Sequence, residues 1–473
     1  MTGSLPLAVT RSSQRTAGQL LRSAFLETVI GCSAVSAVLC AASTASAASG
    51  ETAPAQSAPA NTADDLATKV EAQYLVGPVA AGELGFRIAW QARLQLARGA
   101  QLRQTRFSDE AIFVVDSVNS ITRLRPSDGE QIWRVAVGSP VDIFRGIDWI
   151  MAPVRVPGRG AASAGMGRGT AMPREPRVYV TTDTECYVLD GSSGSIAGRQ
   201  RFSKLPATKP VLSDSGKFLI YGTLGGQVVW YHALIGSEWR ANSLDSTIRG
   251  QLLNGPGYIV AASDRGLVMA MDEVDARQLW SRRLYAGVSA TPAVSDNKVF
   301  VAGLDQYLWC LNLRDGSVAW KHFTQTPLLS SPFPIADVVL QAIPGEGLVC
   351  FNVETTELDG DLRWKNVDVV GAPIGMITTG GGDRIVLWDQ PSRTLSLVDP
   401  AYGTVSSKRV LPGVAELSLV NDGPYAGDIF ATGDDGRVLR LIPKYRKVTD
   451  PSEAERADSK NTSVPPSIPP GTN

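Results

Sequence analysis

An all-β fold made by repeating a four-stranded unit is what this sequence predicts, and three observations predict it. Tryptophans recur at a spacing near 41 residues, prolines recur at the same spacing in a second register, and four short β-prone runs separated by turn formers fill each interval. Composition agrees. The 46 glycines among 473 residues, against an average of about 7%, favour many tight turns over long helices.

The clearest unit is "SATPAVSDNKVFVAGLDQYLWCLNLRDGSVAW", Ser289 to Trp320. Its β-prone runs lie at Pro292 to Val294, Val299 to Ala302, Leu308 to Leu313 and Val318 onward, with "SDN", "GLDQ" and "RDGS" as the turns between them. The repeat anchors are Trp90, Trp133, Trp239, Trp280, Trp320 and Trp364; the first pair is separated by 43 residues, and the intervals from Trp239 onward are 41, 40 and 44. Gly198 and Ser407 stand at degraded anchor positions. Pro292, Pro332 and Pro373 are 40 and 41 apart, at strand starts, where the missing N–H costs no ladder bond. Four strands per forty-odd residues make one propeller blade.

Seven units end at Trp133, Gly198, Trp239, Trp280, Trp320, Trp364 and Ser407. Three more strands, Glu416 to Val420, Ile429 to Thr432 and Arg437 to Leu441, lack an outer partner, and the unpaired run "FRIAWQARL", Phe86 to Leu94, can supply it. The expected fold is therefore an eight-bladed β-propeller of four-stranded antiparallel blades, its ring closed by an N-terminal strand so that no sheet edge stays open. An indole buries roughly 150–250 Å², which suits each anchor to staple one blade to the next. Ala270, Cys310 and Cys350 share one repeat position, where a small apolar side chain favours close packing, so these two cysteines read as core.

The flanks read differently. Arg11, Arg15 and Arg22 precede an apolar run from Thr28 to Ala42, and Ala45-Ser46-Ala47 is an A-x-A cleavage pattern, so residues 1–47 are expected to be a signal peptide. Val29-Ile30-Gly31-Cys32 looks like a lipobox; cleavage, lipidation at Cys32 and retention as a membrane anchor all stay open. Residues 48–61 are a Pro, Ala and Ser-rich linker. In 62–84, Thr62 as N-cap and Leu66, Val70 and Tyr74 at helical spacing predict a short helix and lead-in. The propeller spans 85–443, and 444–473 has the composition of a disordered tail. The expected location is exported, in the periplasm or cell envelope, with membrane association through the N-terminus only where the leader is lipidated or retained.

A net charge of −1 offers no field for nucleic acid. His232 and His322 are the only histidines, neither with a partner at ligand spacing, and the five cysteines form no C-x-x-C pair. No catalytic residue, metal or cofactor is expected. "GGGD" at Gly380 and "GDDG" at Gly433 fall where the repeat needs turns. One insertion departs from the repeat: residues 153–177 carry Arg155, Arg159, Arg168, Arg174 and Arg177 against the single acid Glu175. This basic Gly/Pro-rich loop is the candidate partner-binding element, suited to an acidic protein, an anionic lipid or a polysaccharide.

"AMDEVDARQLW" and "CLNLRDGSVAW" resemble the A-x-D-x-x-x-G-x-x-x-W signature of the pyrroloquinoline-quinone (PQQ)-like repeat β-propellers, over about Gly85 to Pro443. The signature alanine is kept only at Ala270 and its aspartate only at Asp190, Asp272 and Asp399. The resemblance implies one of two functions: quinoprotein dehydrogenases using PQQ and calcium, or non-catalytic scaffolds such as the propeller lipoprotein of outer-membrane β-barrel assembly. The enzymes stack the quinone on a disulfide between adjacent cysteines, a pair this chain lacks. The expectation is a non-enzymatic protein-interaction scaffold in the envelope, a monomer within a complex of envelope proteins. A quinoprotein-like enzyme and a carbohydrate or small-ligand-binding propeller are the alternatives.

Deleting Phe86 to Leu94 should expose a blade edge and unpack Trp90, costing ~3–5 kcal/mol in denaturant unfolding, on the scale of a large-to-small core loss. An unchanged midpoint would refute closure by this strand.

Overall fold

The computed structural model describes residues 69–108, 110–153, 174–295, 297–421 and 423–445. They form an eight-bladed β-propeller: eight separate sheets, each of four antiparallel strands. Blades one to seven span residues 102–136, 144–201, 211–243, 253–283, 293–323, 333–366 and 372–410, each with its strands in chain order from the axis outward. The first strands of successive blades contact one another around the axis. Second strands such as Ala111–Asp116 and Phe218–Gly222 are buried throughout and, apart from Asp116, without charged residues, because both faces of a blade pack against neighbours.

The eighth blade is assembled from the two ends of the propeller. Strand β1 (Phe86–Arg93) pairs antiparallel with β32 (Arg437–Pro443), outside β31 (Ile429–Thr432) and the axial β30 (Glu416–Leu419). Trp90 lies opposite Arg440. Arg440 is buried; its Nε and Nη2 donate to Asp428 Oδ2 at 2.8 and 2.6 Å, while Nη1 donates to the Pro126 carbonyl of blade one at 3.0 Å. The closing seam therefore holds a fully hydrogen-bonded buried ion pair.

One arrangement recurs at the seams. The indole N–H of Trp90 donates to Pro126 O, Trp133 to Gly191 O, Trp280 to Leu313 O, Trp320 to Val353 O and Trp364 to Pro400 O, at 2.6 to 3.2 Å. Each acceptor lies in the turn between the third and fourth strands of the next blade. The ring also covers a glycine of that turn, namely Gly129, Gly194, Gly316, Gly360 and Gly403 in the same order. At Gly316, φ is +68° and a Cβ would stand 2.5 Å from the Trp280 ring, so both backbone and space demand glycine. The signature aspartate shapes the turn: Asp272 Oδ1 accepts from the Val274 and Asp275 amides, and Asp399 Oδ1 from those of Ala401 and Tyr402.

Trp239 does not take part, and this corrects the anchor set. A β-bulge precedes every anchor, and in blade three the bulged residue is Trp239 itself, which leaves Arg240 opposite Trp230. The Trp239 ring is 43% exposed and stacks on Phe218 at 4.9 Å. Trp230, on the neighbouring strand, supplies the seam bond instead, from its Nε1 to Glu273 O at 2.8 Å, and Arg240 Nη1 donates to Asp275 O at 2.7 Å. With no anchor ring over that turn, the glycine position can hold Ala276, at φ +57°.

Three of the anchors have a small partner across the strands, while Trp90 and Trp133 face Arg440 and Arg123. Trp280, Trp320 and Trp364 face Ala270, Cys310 and Cys350, whereas Gly198 faces Val188 and Ser407 faces Leu397. Ser407 has nothing to dock on, because the third and fourth strands of blade eight come from opposite ends of the chain and no turn joins them. The N-terminal lead-in fills this seam. Leu75, Val76, Ala81 and Leu84 pack with Leu397, Val386 and Leu439 in one cluster, and Glu83 of helix α1 (Pro78–Glu83) pairs with Arg409. The helical spacing of residues 62–76 is realised only over 69–73 among the described residues, and Val70 is exposed; the chain turns after 73, so burial passes to Leu75 and Val76.

Gly316→Ala should cost several kcal/mol through strain and displacement of the indole, while Gly257→Ala, at φ +79° with nothing near its Cβ, should cost only about 1 kcal/mol of backbone strain. Equal losses in urea unfolding would contradict indole docking as the seam element.

Candidate functional site

Alternating strands place two sets of loops on opposite faces of the ring. One face carries the crossovers between blades and the turns between second and third strands; the other carries the turns between first and second and between third and fourth strands. The crossover face exposes large apolar side chains on three consecutive connections, Tyr285, Leu329, and Val367 with Val370, and on an earlier one at Leu205, with Tyr285 at 71%. Leu329, Ile343, Pro344, Val367, Val369 and Val370 line an apolar hollow of about 410 Å³ there. Beside it, the rings of Tyr285, Tyr307 and Trp309 surround the Lys321 ammonium at 4.8, 4.7 and 5.0 Å, and its Nζ donates to the Tyr285 hydroxyl at 3.2 Å. Cation–π contact fixes the lysine among three mutually inclined rings, of which Tyr285 is exposed and Trp309 buried. Monomeric surfaces rarely keep apolar groups contiguous without a use for them.

The opposite face carries the stem of the basic insertion. Strands Phe144–Pro153 and Arg174–Thr182 pair from Phe144↔Thr182 out to Pro153↔Arg174, the longest hairpin of the ring. Arg155, Arg159 and Arg168 lie outside the described residues. Arg174 begins its strand, and Arg177 donates from Nη2 to Glu175 Oε2 at 3.1 Å, so one of the five arginines is engaged with the only acid of the segment. The signal peptide, the Cys32 lipobox, the linker and all of the tail beyond residue 445 also lie outside the described residues.

Around the axis the first strands differ in length. Those of blades three to six have two or three residues, whereas those of blades one and two have seven and ten. The longer ones bring charge inward. Arg106, Asp148, Ser213, Asp214 and Asn254, from blades one to four, line a cavity of about 340 Å³. Burial pushes the Asp148 carboxyl above its ordinary range, and burial likewise raises Glu416 on the axial strand of blade eight. Sequence reasoning missed this cluster because it read the first strands from "SATPAV", "LSSPFP" and "VGAPIG", the apolar ones.

Cys186, Cys310 and Cys350 are free and buried in three different blades, and burial pushes each thiol up to about 12, which keeps it protonated and unreactive at neutral pH. Among the described residues, no group of three or more His, Cys, Asp or Glu side chains converges as a metal site, and no helix is long and apolar enough to cross a membrane. His232 accepts the Ile235 amide at Nδ1, and His322 Nδ1 lies 3.0 Å from Asp359 O, both local contacts.

Comparison with known proteins places these features. The family described as outer membrane protein assembly factor BamB (PQQ_2) matches residues 220–370. BamB of Salmonella typhimurium is 25% identical over 228 residues, 45% of this chain and 54% of that protein. Protein Rv3035 of Mycobacterium tuberculosis is 28% identical over 179 residues, 35% of this chain and 42% of that protein. The chain thus spans about half or less of the length of these curated relatives. The crystal structure of BamB from Moraxella catarrhalis superposes with a TM-score of 0.53 at 16% identity, over 76% of this chain and 99% of that one, a likeness of fold. Repeat, ring and matches together show an eight-bladed β-propeller, similar over residues 220–370 to the PQQ-like repeat family of BamB.

Proposed function

We propose that the chain is an exported, non-enzymatic protein-interaction scaffold of the cell envelope, acting in outer-membrane protein assembly. The observation that carries this reading is the apolar series Tyr285, Leu329, Val367 and Val370 on successive crossovers, on the blades that the family match covers. A rigid ring holds these side chains in place before a partner arrives, so little ordering entropy is lost on binding. Tyrosine and leucine anchors beside an apolar hollow suit a partner segment that inserts apolar side chains, and burial there returns roughly 25 cal/mol per Å².

The five arginines of residues 153–177 form a second contact in this reading, on the other face, where a basic loop steers an acidic partner and sets its on-rate. Export through the N-terminal segment places the ring in the periplasm. The absence of an adjacent cysteine pair in the sequence supports the scaffold over the quinone-dependent branch of the family.

Crosslinking pull-down from the native envelope is the test, with quinone and calcium assayed on the same sample. A stoichiometric envelope protein is expected, captured at least tenfold less by a Leu329→Asp/Val370→Asp variant. Converting Arg155, Arg159, Arg168, Arg174 and Arg177 to glutamine should abolish capture if the insertion is the grip, and unchanged capture would remove it from the interface. Capture unaffected in both variants, or bound quinone with dye-linked alcohol oxidation, would overturn the scaffold reading.

A further inference from the structure

The axial cavity near blades one to four holds polar groups that the fold leaves without partners. Asp148 is 7% exposed and lines the cavity, and its Oδ2 is buried with no hydrogen-bond partner. Asn254 also lines it; its Nδ2 donates to Leu212 O at 3.3 Å, while its Oδ1 is buried and unpartnered. An unpaired buried carboxylate or amide oxygen is costly, and here two residues that carry such acceptors line one void. Among the described residues, Arg106 forms no ion pair or hydrogen bond and lies exposed on the same cavity. Lys209, half-buried at the entry to blade three, likewise has no ion pair there. Both cations draw the Asp148 carboxyl back toward its charged form, so the opposing charges are near one another but not neutralised by contact.

The lining combines two acceptors that require donors, a second carboxylate at Asp214, a guanidinium that requires an anion, and an apolar wall of Phe107 and Trp149. A simple anion would face Asp148, and a simple cation would face Arg106 and Lys209. A molecule carrying both charges satisfies all of them. A cavity of about 340 Å³ falls within the usual range for small-molecule sites, about 300–1,000 Å³.

We propose that this axial cavity binds a small zwitterion of the amino-acid or short-peptide class, with its ammonium on Asp148 and the Asn254 carbonyl, its carboxylate on Arg106, and its body against Phe107 and Trp149. This site is separate from the crossover surface, so ligand binding and partner capture can succeed or fail independently.

Isothermal titration of the purified full chain tests it with three probes: glycyl-L-phenylalanine, its N-acetyl derivative, which lacks the ammonium, and its C-terminal amide, which lacks the carboxylate. The dipeptide is expected to bind at least about tenfold more tightly than either blocked form, a difference of about 1.4 kcal/mol. Asp148→Asn should abolish the preference over the N-acetyl form, and Arg106→Gln the preference over the amide. Arg106 is exposed and Asp148→Asn removes a buried charge, so both variants should fold, with circular dichroism as the check. No binding of the dipeptide at several millimolar, or selectivity unchanged in both variants, would overturn the assignment.

Discussion

Everything in this ring depends on a tryptophan of one blade resting on a turn of the next. The contact does two things at once. The ring excludes water from the seam, and its N–H satisfies a turn carbonyl that the close approach of the blades would otherwise bury without a partner, at a net worth of about 1 kcal/mol per hydrogen bond. Because the ring must lie flat on the turn, the turn needs a glycine; in blades two, five and seven an aspartate or asparagine opens the turn four residues before it, at Asp190, Asn312 and Asp399. The A-x-D-x-x-x-G-x-x-x-W pattern thus records one physical contact seen from both sides: D and G shape the turn that receives an indole, W belongs to the outer strand that passes one on, and A leaves room for that W across its own blade.

The exceptions obey the same constraint. Blade two offers Gly198 at the anchor, and Gln200 reaches the following turn instead, from Nε2 to Ala233 O at 3.1 Å. Blade three moves the indole to Trp230 and relaxes the glycine to Ala276. Blade seven carries Ser407 because closure by strand exchange removes the turn it would meet, and the N-terminal lead-in occupies the gap. Closure and loss of the last anchor are therefore two consequences of building one blade from both chain ends.

This explains what was legible in the sequence. Period, blade number and the closing strand could be read because indoles, prolines and turn residues repeat independently, and three registers rarely coincide by chance. Trp239 misled because a repeat that varies by several residues cannot reveal a one-residue slip at a bulge; Ala276 in place of glycine was the available signal. The apolar crossovers and the axial charges were not legible for a different reason. Crossovers follow no strict pattern, and Arg106 and Asp148 stand on first strands longer than those that define the repeat. Both proposed sites lie in what the repeat leaves unconstrained, as expected of loops held on a rigid frame.

The central claim is that the ring is one cooperative body closed by its own two ends. Native-state hydrogen exchange tests it most directly, by comparing amides of β1 and β32 with those of Lys298–Ala302 and Tyr307–Asn312 in blade five. The account predicts that the buried amides of both regions open with the same free energy and the same denaturant dependence, as parts of a single unit. Faster exchange of β1 and β32, with a shallower dependence, would show that blade eight opens by itself and that the ring does not need its closing strand.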